Sequence, residues 1–272
     1  MKALVVVPVC PLMSRPDRGS AVADEALFGM TVELLAPAGE TWYEISTHYA
    51  YTGFVSSKSL LVGDERARRW ENLPKRVVLH KNTCDILSEP RFQSRLLTTL
   101  PRGALVSPEG DPEDGWRKVL LSDGRRGYAR DSILDTFWQT PPSEGEALRE
   151  RLAWTAMLYL GTQYRWGGKT PLGIDCSGLT SMAYLLNGIL IYRDAELKPG
   201  FPIHSIPREK MGKGDLIYFK GHVAMFLGGG EFIHSTGRAG SDGVVVNSLN
   251  PSSPLYREDL ANGILAIGSV FT

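Results

Sequence analysis

The residues best suited to covalent chemistry are one cysteine and two histidines in the second half of the chain. Cys176 stands between Asp175 and Ser177-Gly178, at the start of an apolar segment whose pattern predicts a helix. Asp175 is the predicted N-cap of that helix. A thiol in the first helical turn lies near unpaired backbone N–H groups and the positive end of the helix dipole, which favour its thiolate. We therefore predict that Cys176 is a nucleophile with a depressed pKa.

A nucleophilic thiol needs a base, and two histidines occupy suitable positions. His222 begins a strand pattern, Gly228 to Gly230 form a turn, and His234 lies in the next strand pattern. Adjacent antiparallel strands bring such side chains within reach of each other. We predict that His222 accepts the thiol proton and that His234 binds the other nitrogen of its ring and orients it.

The three cysteines, Cys10, Cys84 and Cys176, are widely spaced. Their number and spacing match neither a disulfide framework nor a zinc site and favour a reducing, cytoplasmic compartment. A lone cysteine is usually a small buried apolar residue, which is our interpretation of Cys10 and Cys84. Ala3 to Val9 is predicted to be a first β-strand, because Pro8 interrupts a run too short for a signal peptide. No stretch approaches the roughly 20 apolar residues of a membrane span.

The residues before 137 contain an internal repeat with an offset of 74 positions. The matching pairs are Gly29 with Gly103, Trp42 with Trp116, Gly53 with Gly127, Phe54 with Tyr128, and Leu60 with Leu134. Short strand patterns separated by Gly, Asp and Pro surround these positions. The pattern predicts two copies of one small β-unit, at residues 1–64 and 72–136. Glu65 to Lys75 is predicted to be a charged linker.

A third domain is predicted over residues 140–272, after the boundary at Thr140-Pro141-Pro142. Ser143 and Glu146 have the spacing of a capping box, and an apolar stripe from Leu148 to Leu160 predicts the helix that follows. Across the whole chain, 30 basic residues balance 30 acidic ones. Zero net charge gives no electrostatic reason to bind nucleic acid or an anionic membrane.

The motifs of this third domain resemble those of the NlpC-type cysteine peptidases. They are Tyr164-x-Trp166-Gly167-Gly168, Asp175-Cys176-Ser177-Gly178, Gly214-Asp215-Leu216, Gly221-His222-Val223-Ala224 and Phe232-Ile233-His234. The resemblance implies an α+β fold, a papain-like domain with helices on an antiparallel sheet, which acts on peptidoglycan stem peptides without a metal or organic cofactor. It places Tyr164 beside the nucleophile, where its hydroxyl and the Cys176 N–H polarise the substrate carbonyl. The two preceding units resemble bacterial SH3-like barrels.

This domain order is similar to that of γ-D-glutamyl-L-diamino-acid endopeptidases, which take stem peptides with a free N-terminal L-Ala and release L-Ala-D-Glu. The segment from Asn187 to Ala195 resembles their cleft segment, with Tyr192 in place of a proline and Ala195 in place of a serine. The substrate-binding residues that this resemblance implies are Glu25, Tyr51 and Asp194 for the free amine, and Ser177 and Arg193 for the D-Glu carboxylate. Asp175 is a further predicted substrate-binding residue. The expected partner is a murein stem peptide.

Two other functions stay open on the sequence. The chain could be a secreted hydrolase of intact peptidoglycan that uses its SH3-like units to grip the wall. It could also be a wall-binding protein with a degenerate catalytic domain, which the complete set of one cysteine and two histidines disfavours. The identity of the third residue of the peptide, diaminopimelate or lysine, and the oligomeric state are not encoded in these motifs.

Overall fold

Short strands joined by glycine turns build the first half of the chain, and helices packed on an antiparallel sheet build the second. The computed structural model describes residues 1–271 and divides the chain into two units, Met1–Phe137 and the residues from Trp138 onward. The fold class is α+β, as predicted. Within residues 1–271, no helix combines the length and apolar character needed to cross a membrane.

The first repeat of unit 1 is a seven-stranded antiparallel sheet with the order β3-β2-β6-β5-β4-β1-β7. Its strands are β1 (Lys2–Val5), β2 (Val9–Met13), β3 (Val22–Leu27), β4 (Thr31–Pro37), β5 (Trp42–Thr47), β6 (Thr52–Ser56) and β7 (Leu60–Val62). The prediction of one strand from Ala3 to Val9 was wrong. The chain leaves the extended ladder before Pro8, which has no N–H to donate, and two strands form instead of one.

The second repeat has the same seven strands in the same order, β10-β9-β13-β12-β11-β8-β14. They are β8 (Arg76–Val78), β9 (Thr83–Leu87), β10 (Leu96–Pro101), β11 (Leu105–Pro108), β12 (Trp116–Leu120), β13 (Arg126–Arg130) and β14 (Leu134–Thr136). The paired glycines Gly29 and Gly103 both have positive φ, 81° and 93°. This turn conformation explains why glycine recurs at the repeat offset.

The two repeats of unit 1 share buried surface. Phe28 of the first repeat is fully buried in the core of the second, beside Ile86 and Val106. The N–H of Leu105 donates to the Phe28 carbonyl at 2.8 Å. The side chain and the backbone carbonyl of Phe28 in the first repeat therefore complete the packing of the second repeat.

The segment predicted as a linker contains a helix, α1 (Asp64–Glu71). Asp64 and Glu65 lie in its first turn and Arg68 and Arg69 in its last, an arrangement that the helix dipole favours. Ala67 and Trp70 are buried on one face, and the Trp70 indole N–H donates to the Gly29 carbonyl at 2.7 Å. The linker prediction was wrong because the helix has an apolar face of only two residues, Ala67 and Trp70, among many charged ones.

Unit 2 places two main helices against a six-stranded antiparallel sheet with the order β17-β22-β18-β19-β20-β21. The elements are α2 (Gly145–Met157), β15 (Lys169–Thr170), β16 (Gly173–Ile174), α3 (Cys176–Leu185), β17 (His204–Ile206), β18 (Leu216–Phe219), β19 (His222–Gly228), β20 (Glu231–Thr236), β21 (Gly243–Ser248), α4 (Glu258–Ala261) and β22 (Ala266–Ser269). One face of the sheet buries an apolar cluster that includes Ile217, Ala224 and Phe232. The sheet places β19, β20 and β21 side by side.

The helix after the proline boundary exists, but its predicted capping box does not. The N-cap of α2 is Glu144, and no side chain caps its first turn. The Ser143 hydroxyl is buried and makes no hydrogen bond. The helix begins one residue later than the capping box requires, so Ser143 precedes the N-cap.

Candidate active site

Cys176 is the first residue of α3, as predicted. Asp175 is the N-cap, and its Oδ1 accepts the Gly178 N–H at 2.6 Å. The backbone N–H groups of Ser177 and Val223 donate to the Cys176 sulfur. Val223 follows His222 in β19, so the thiol lies against the start of the strand that carries the predicted base.

The prediction of a depressed pKa for the Cys176 thiol was wrong. Burial, reinforced by the nearby Asp175 carboxylate, raises the pKa of the Cys176 thiol above its usual value. The two backbone donors and the Arg193 guanidinium act in the opposite direction but do not outweigh burial. The resting sulfur is therefore a thiol, and forming the thiolate requires a base.

Asp175, Ser177 and Arg193 form one buried network at the start of α3. Arg193 Nη1 donates to Asp175 Oδ1 and Nη2 donates to Asp175 Oδ2, each at 3.0 Å. Arg193 Nη1 also donates to the Ser177 hydroxyl at 2.7 Å. The second carboxylate oxygen accepts the Gly167 N–H at 2.8 Å. The structure thus brings these three predicted substrate residues together, and the paired charges hold the helix start in place.

The glycines of the motifs around Cys176 permit close backbone contact. A Cβ on Gly178 would lie 2.2 Å from the Gly168 carbonyl oxygen and 2.9 Å from Asp175 Oδ1. A Cβ on Gly168 would lie 2.4 Å from the Gly173 carbonyl oxygen. A larger residue at position 178 would push α3 away from the loop that precedes it, and one at position 168 would displace the backbone at Gly173.

His222 and His234 are in direct contact, as the strand pattern predicts. His222 Nε2 lies 2.7 Å from His234 Nδ1. His234 Nε2 in turn lies 2.9 Å from Oδ1 of Asn247. The three side chains come from β19, β20 and β21, which are consecutive in the sheet. The arrangement is a linear chain that leaves one His222 ring nitrogen, Nδ1, for the thiol.

Burial keeps both imidazoles neutral. Burial first, then the neighbouring His234 and Arg257, lowers the pKa of His222 from its usual 6.5 to about 3. Burial lowers the pKa of His234 to about 4, against a raising effect of its hydrogen bond with Asn247. A neutral imidazole has one unprotonated nitrogen, so His222 can accept the Cys176 proton at neutral pH.

Tyr164 lies close enough to Cys176 for the two side chains to interact electrostatically. Burial, followed by the nearby Cys176 and Asp175, raises the pKa of the Tyr164 hydroxyl to about 12. The hydroxyl therefore stays protonated at neutral pH. A Cβ on Gly237 would lie 3.3 Å from the tyrosine ring, so Gly237 leaves room for it.

The remaining predicted substrate residues are Asp194, Glu25 and Tyr51. Asp194 is exposed and accepts a hydrogen bond from the Tyr192 hydroxyl. Glu25 and Tyr51 belong to unit 1. Glu25 is a buried residue of β3, and Tyr51 precedes β6, with its N–H donating to Thr47 Oγ1 at 3.1 Å. Their roles stay predictions.

Asn247 is a residue of this site that the sequence reasoning missed. Its position at the end of a third strand pattern after His234 is the only signal in the sequence. Residues 1–271 contain no cluster of three or more His, Cys, Asp or Glu side chains able to hold a metal ion.

Comparisons with known proteins agree with the fold and with the motifs. The sequence model of the NlpC/P60 family matches residues 161–258. Dipeptidyl-peptidase 6 of Lysinibacillus sphaericus is 40% identical over 274 residues, which cover 100% of both chains. Gamma-D-glutamyl-L-lysine dipeptidyl-peptidase of Bacillus cereus is 29% identical over 227 residues, or 78% of this chain and 66% of that protein.

A solved structure shares the whole fold. The crystal structure of an NlpC/P60 family protein from Bacillus cereus superposes with a TM-score of 0.82 at 24% identity and covers 100% of both chains. In unit 2, Cys176 begins α3 and lies against the start of β19, the strand that carries His222. Unit 2 is the catalytic domain of a papain-like cysteine peptidase. The chain belongs to the NlpC/P60 family.

Proposed function

We propose that this enzyme hydrolyses the γ-D-glutamyl–diamino-acid bond of murein stem peptides with a free N-terminal L-Ala and releases L-Ala-D-Glu. One observation carries the proposal. The chain, which places Cys176 against the Val223 N–H and His222 against His234, aligns from end to end with Dipeptidyl-peptidase 6, including both β-repeats. A relative named for a γ-D-glutamyl-L-lysine bond supports the same chemistry.

The proposed reaction is acyl transfer through a thioester. His222 takes the Cys176 proton as the sulfur attacks the γ-carbonyl carbon of D-Glu. The oxyanion accepts hydrogen bonds from the Tyr164 hydroxyl and the Cys176 N–H. The protonated His222 then donates its proton to the amine as the C–N bond breaks. Water attacks the thioester with His222 as the base, which regenerates the thiol and releases L-Ala-D-Glu.

The selection for a free N-terminal amine is the finer part of this proposal. An ammonium group requires carboxylates and hydroxyls as acceptors, and Glu25, Tyr51 and Asp194 supply these groups. Positions 99 and 125, which match Glu25 and Tyr51 in the second repeat, hold Thr99 and Arg125. The absence of the pair from the second copy supports a specialised role of the first.

The catalytic part is tested with Cys176→Ala and His222→Ala, using L-Ala-γ-D-Glu-meso-diaminopimelate as the substrate. We expect both variants to stay folded and to lose turnover, since acid–base help alone contributes about 10²–10⁴-fold. His204→Ala, which changes an exposed histidine on β17, is the matched control and should keep full activity. Near-full activity of either catalytic variant would contradict the mechanism.

The amine selectivity is tested by comparing the free peptide with its N-acetylated form and with intact peptidoglycan. The proposal expects cleavage of the free peptide alone. Equal cleavage of all three would favour the alternative, a hydrolase of the intact wall.

We also propose a cytoplasmic location. Cys10, Cys84 and Cys176 are all unpaired thiols, which suits a reducing compartment. Fractionation of cells with an antibody to the chain tests it, and recovery in the medium would refute it.

A further inference from the structure

The sheet aligns three polar side chains into a single hydrogen-bonded line. In the register of β20, Ile233 lies opposite Met225 of β19, and His234 lies opposite Val245 of β21. Asn247 is two residues beyond Val245, so it shares the sheet face of His234. Diagonal neighbours on one face are within reach of long side chains.

The orientation of the Asn247 amide follows from its two contacts. Its Nδ2 donates to the Leu255 carbonyl at 3.4 Å, which leaves Oδ1 toward His234. The reversed amide would place Oδ1 against the Leu255 carbonyl oxygen, and two acceptors repel each other. The group that faces His234 Nε2 is therefore an acceptor only.

Because the Asn247 oxygen can only accept a hydrogen bond, it determines which ring nitrogen of each histidine carries the proton. His234 must carry its proton on Nε2 in order to donate to Asn247, so its Nδ1 is an acceptor. His222 then carries its proton on Nε2, and His222 Nδ1 keeps the lone pair. This tautomer is the one that can take a proton from Cys176.

We propose that Asn247 is a positioning residue that fixes the protons of both histidines so that His222 Nδ1 is the base. The proposal deepens the proposed function and rests on it. The Asn247 side chain has its hydrogen bonds with His234 and the Leu255 carbonyl, so it acts through His234.

Three charged or titratable groups influence His234, in addition to its hydrogen bond with the neutral Asn247. They are His222, Arg257 and Asp259. Arg257 and Asp259 are joined by two hydrogen bonds, at 2.8 and 2.7 Å, so their opposite charges partly cancel at the histidine. Asparagine, being neutral, sets the tautomer without adding a charge that would turn His234 into an imidazolium.

Two substitutions separate this role from a structural one. Asn247→Ala removes the acceptor and should lower kcat about two- to tenfold, the effect of one net hydrogen bond, with KM changed less than about twofold. Asn247→Asp keeps the acceptor but adds a charge, which should raise the His234 pKa from about 4 and move the acid limb of kcat/KM upward by about one to three pH units. Asn250→Ala, an exposed asparagine nearby, is the matched control.

The ring-nitrogen chemical shifts of the ¹⁵N-histidine-labelled full chain give a direct measurement without substrate. We expect protons on Nε2 of both His222 and His234 in the wild type, and mixed tautomers of His234 in Asn247→Ala. A proton on His234 Nδ1 in the wild type overturns the proposal, as does an Asn247→Asp pH profile that superposes on the wild-type profile. The shifts remain decisive if the stem peptide is not a substrate, so the two proposals fail independently.

Discussion

Replacing Arg193 with methionine tests how the start of α3 is held. The Arg193 side chain is 1% exposed and that of Asp175 is 9% exposed, and they form a bidentate pair. Removing one partner of a buried pair leaves the other charge uncompensated and costs about 3–5 kcal/mol. Methionine keeps the length and apolar stem of arginine, so packing changes little. A loss of this size is a large part of the free energy of unfolding of a typical protein, which is about 5–15 kcal/mol.

Urea unfolding of the wild type and Arg193→Met measures the loss. Lys198→Met is the control, because it removes an exposed ion pair with Glu196 from the same segment and should cost at most about 1 kcal/mol. Arg193 also favours the thiolate of Cys176, so the variant should react more slowly with iodoacetamide. A loss equal to that of the control, with unchanged thiol reactivity, would refute the buried-pair account.

Two further predictions concern reactivity and pH. At mildly acidic pH, iodoacetamide should modify Cys176 far faster than Cys10 or Cys84, because burial raises the pKa of these two thiols to about 11 and about 12 and no histidine is among the groups that act on them. Equal rates measured by peptide mass spectrometry would contradict this. The folded pKa values of about 3 for His222 and about 4 for His234 lie below the unfolded value of 6.5, so the unfolded state binds protons first as the pH falls. The free energy of unfolding should be at its full value above pH 6.5 and fall by about 2 kcal/mol per histidine at pH 5. In urea unfolding, the His234→Gln variant should lose correspondingly less stability between these pH values. A pH dependence of the variant equal to that of the wild type would contradict the burial argument.

The local parts of the site were predictable because local chemistry specifies them. An acidic N-cap before a cysteine is recognisable as a helix start, and two alternating patterns around a glycine turn indicate a hairpin that carries His222 and His234. The repeat was equally clear, since Trp42 and Trp116 recur with their turn glycines. In each case neighbours in sequence determine the structure.

The parts that failed depend on contacts between distant residues. Asn247 joins the site only through the register of β20 with β21, which the sequence pattern does not specify. The helix α1 is held by Trp70 binding the Gly29 carbonyl, 41 residues away in the chain. The raised pKa of Cys176 reflects burial in the finished fold, whereas the sequence showed only the helix start.

The central claim is that Cys176 cleaves one bond of a stem peptide whose N-terminus is free. Mass spectrometry of the products from L-Ala-γ-D-Glu-meso-diaminopimelate, with and without N-acetylation, tests it most directly. The account expects L-Ala-D-Glu and free diaminopimelate from the unmodified peptide, and no product from the acetylated peptide or from Cys176→Ala. Cleavage at another bond, or the same products from Cys176→Ala, would contradict it.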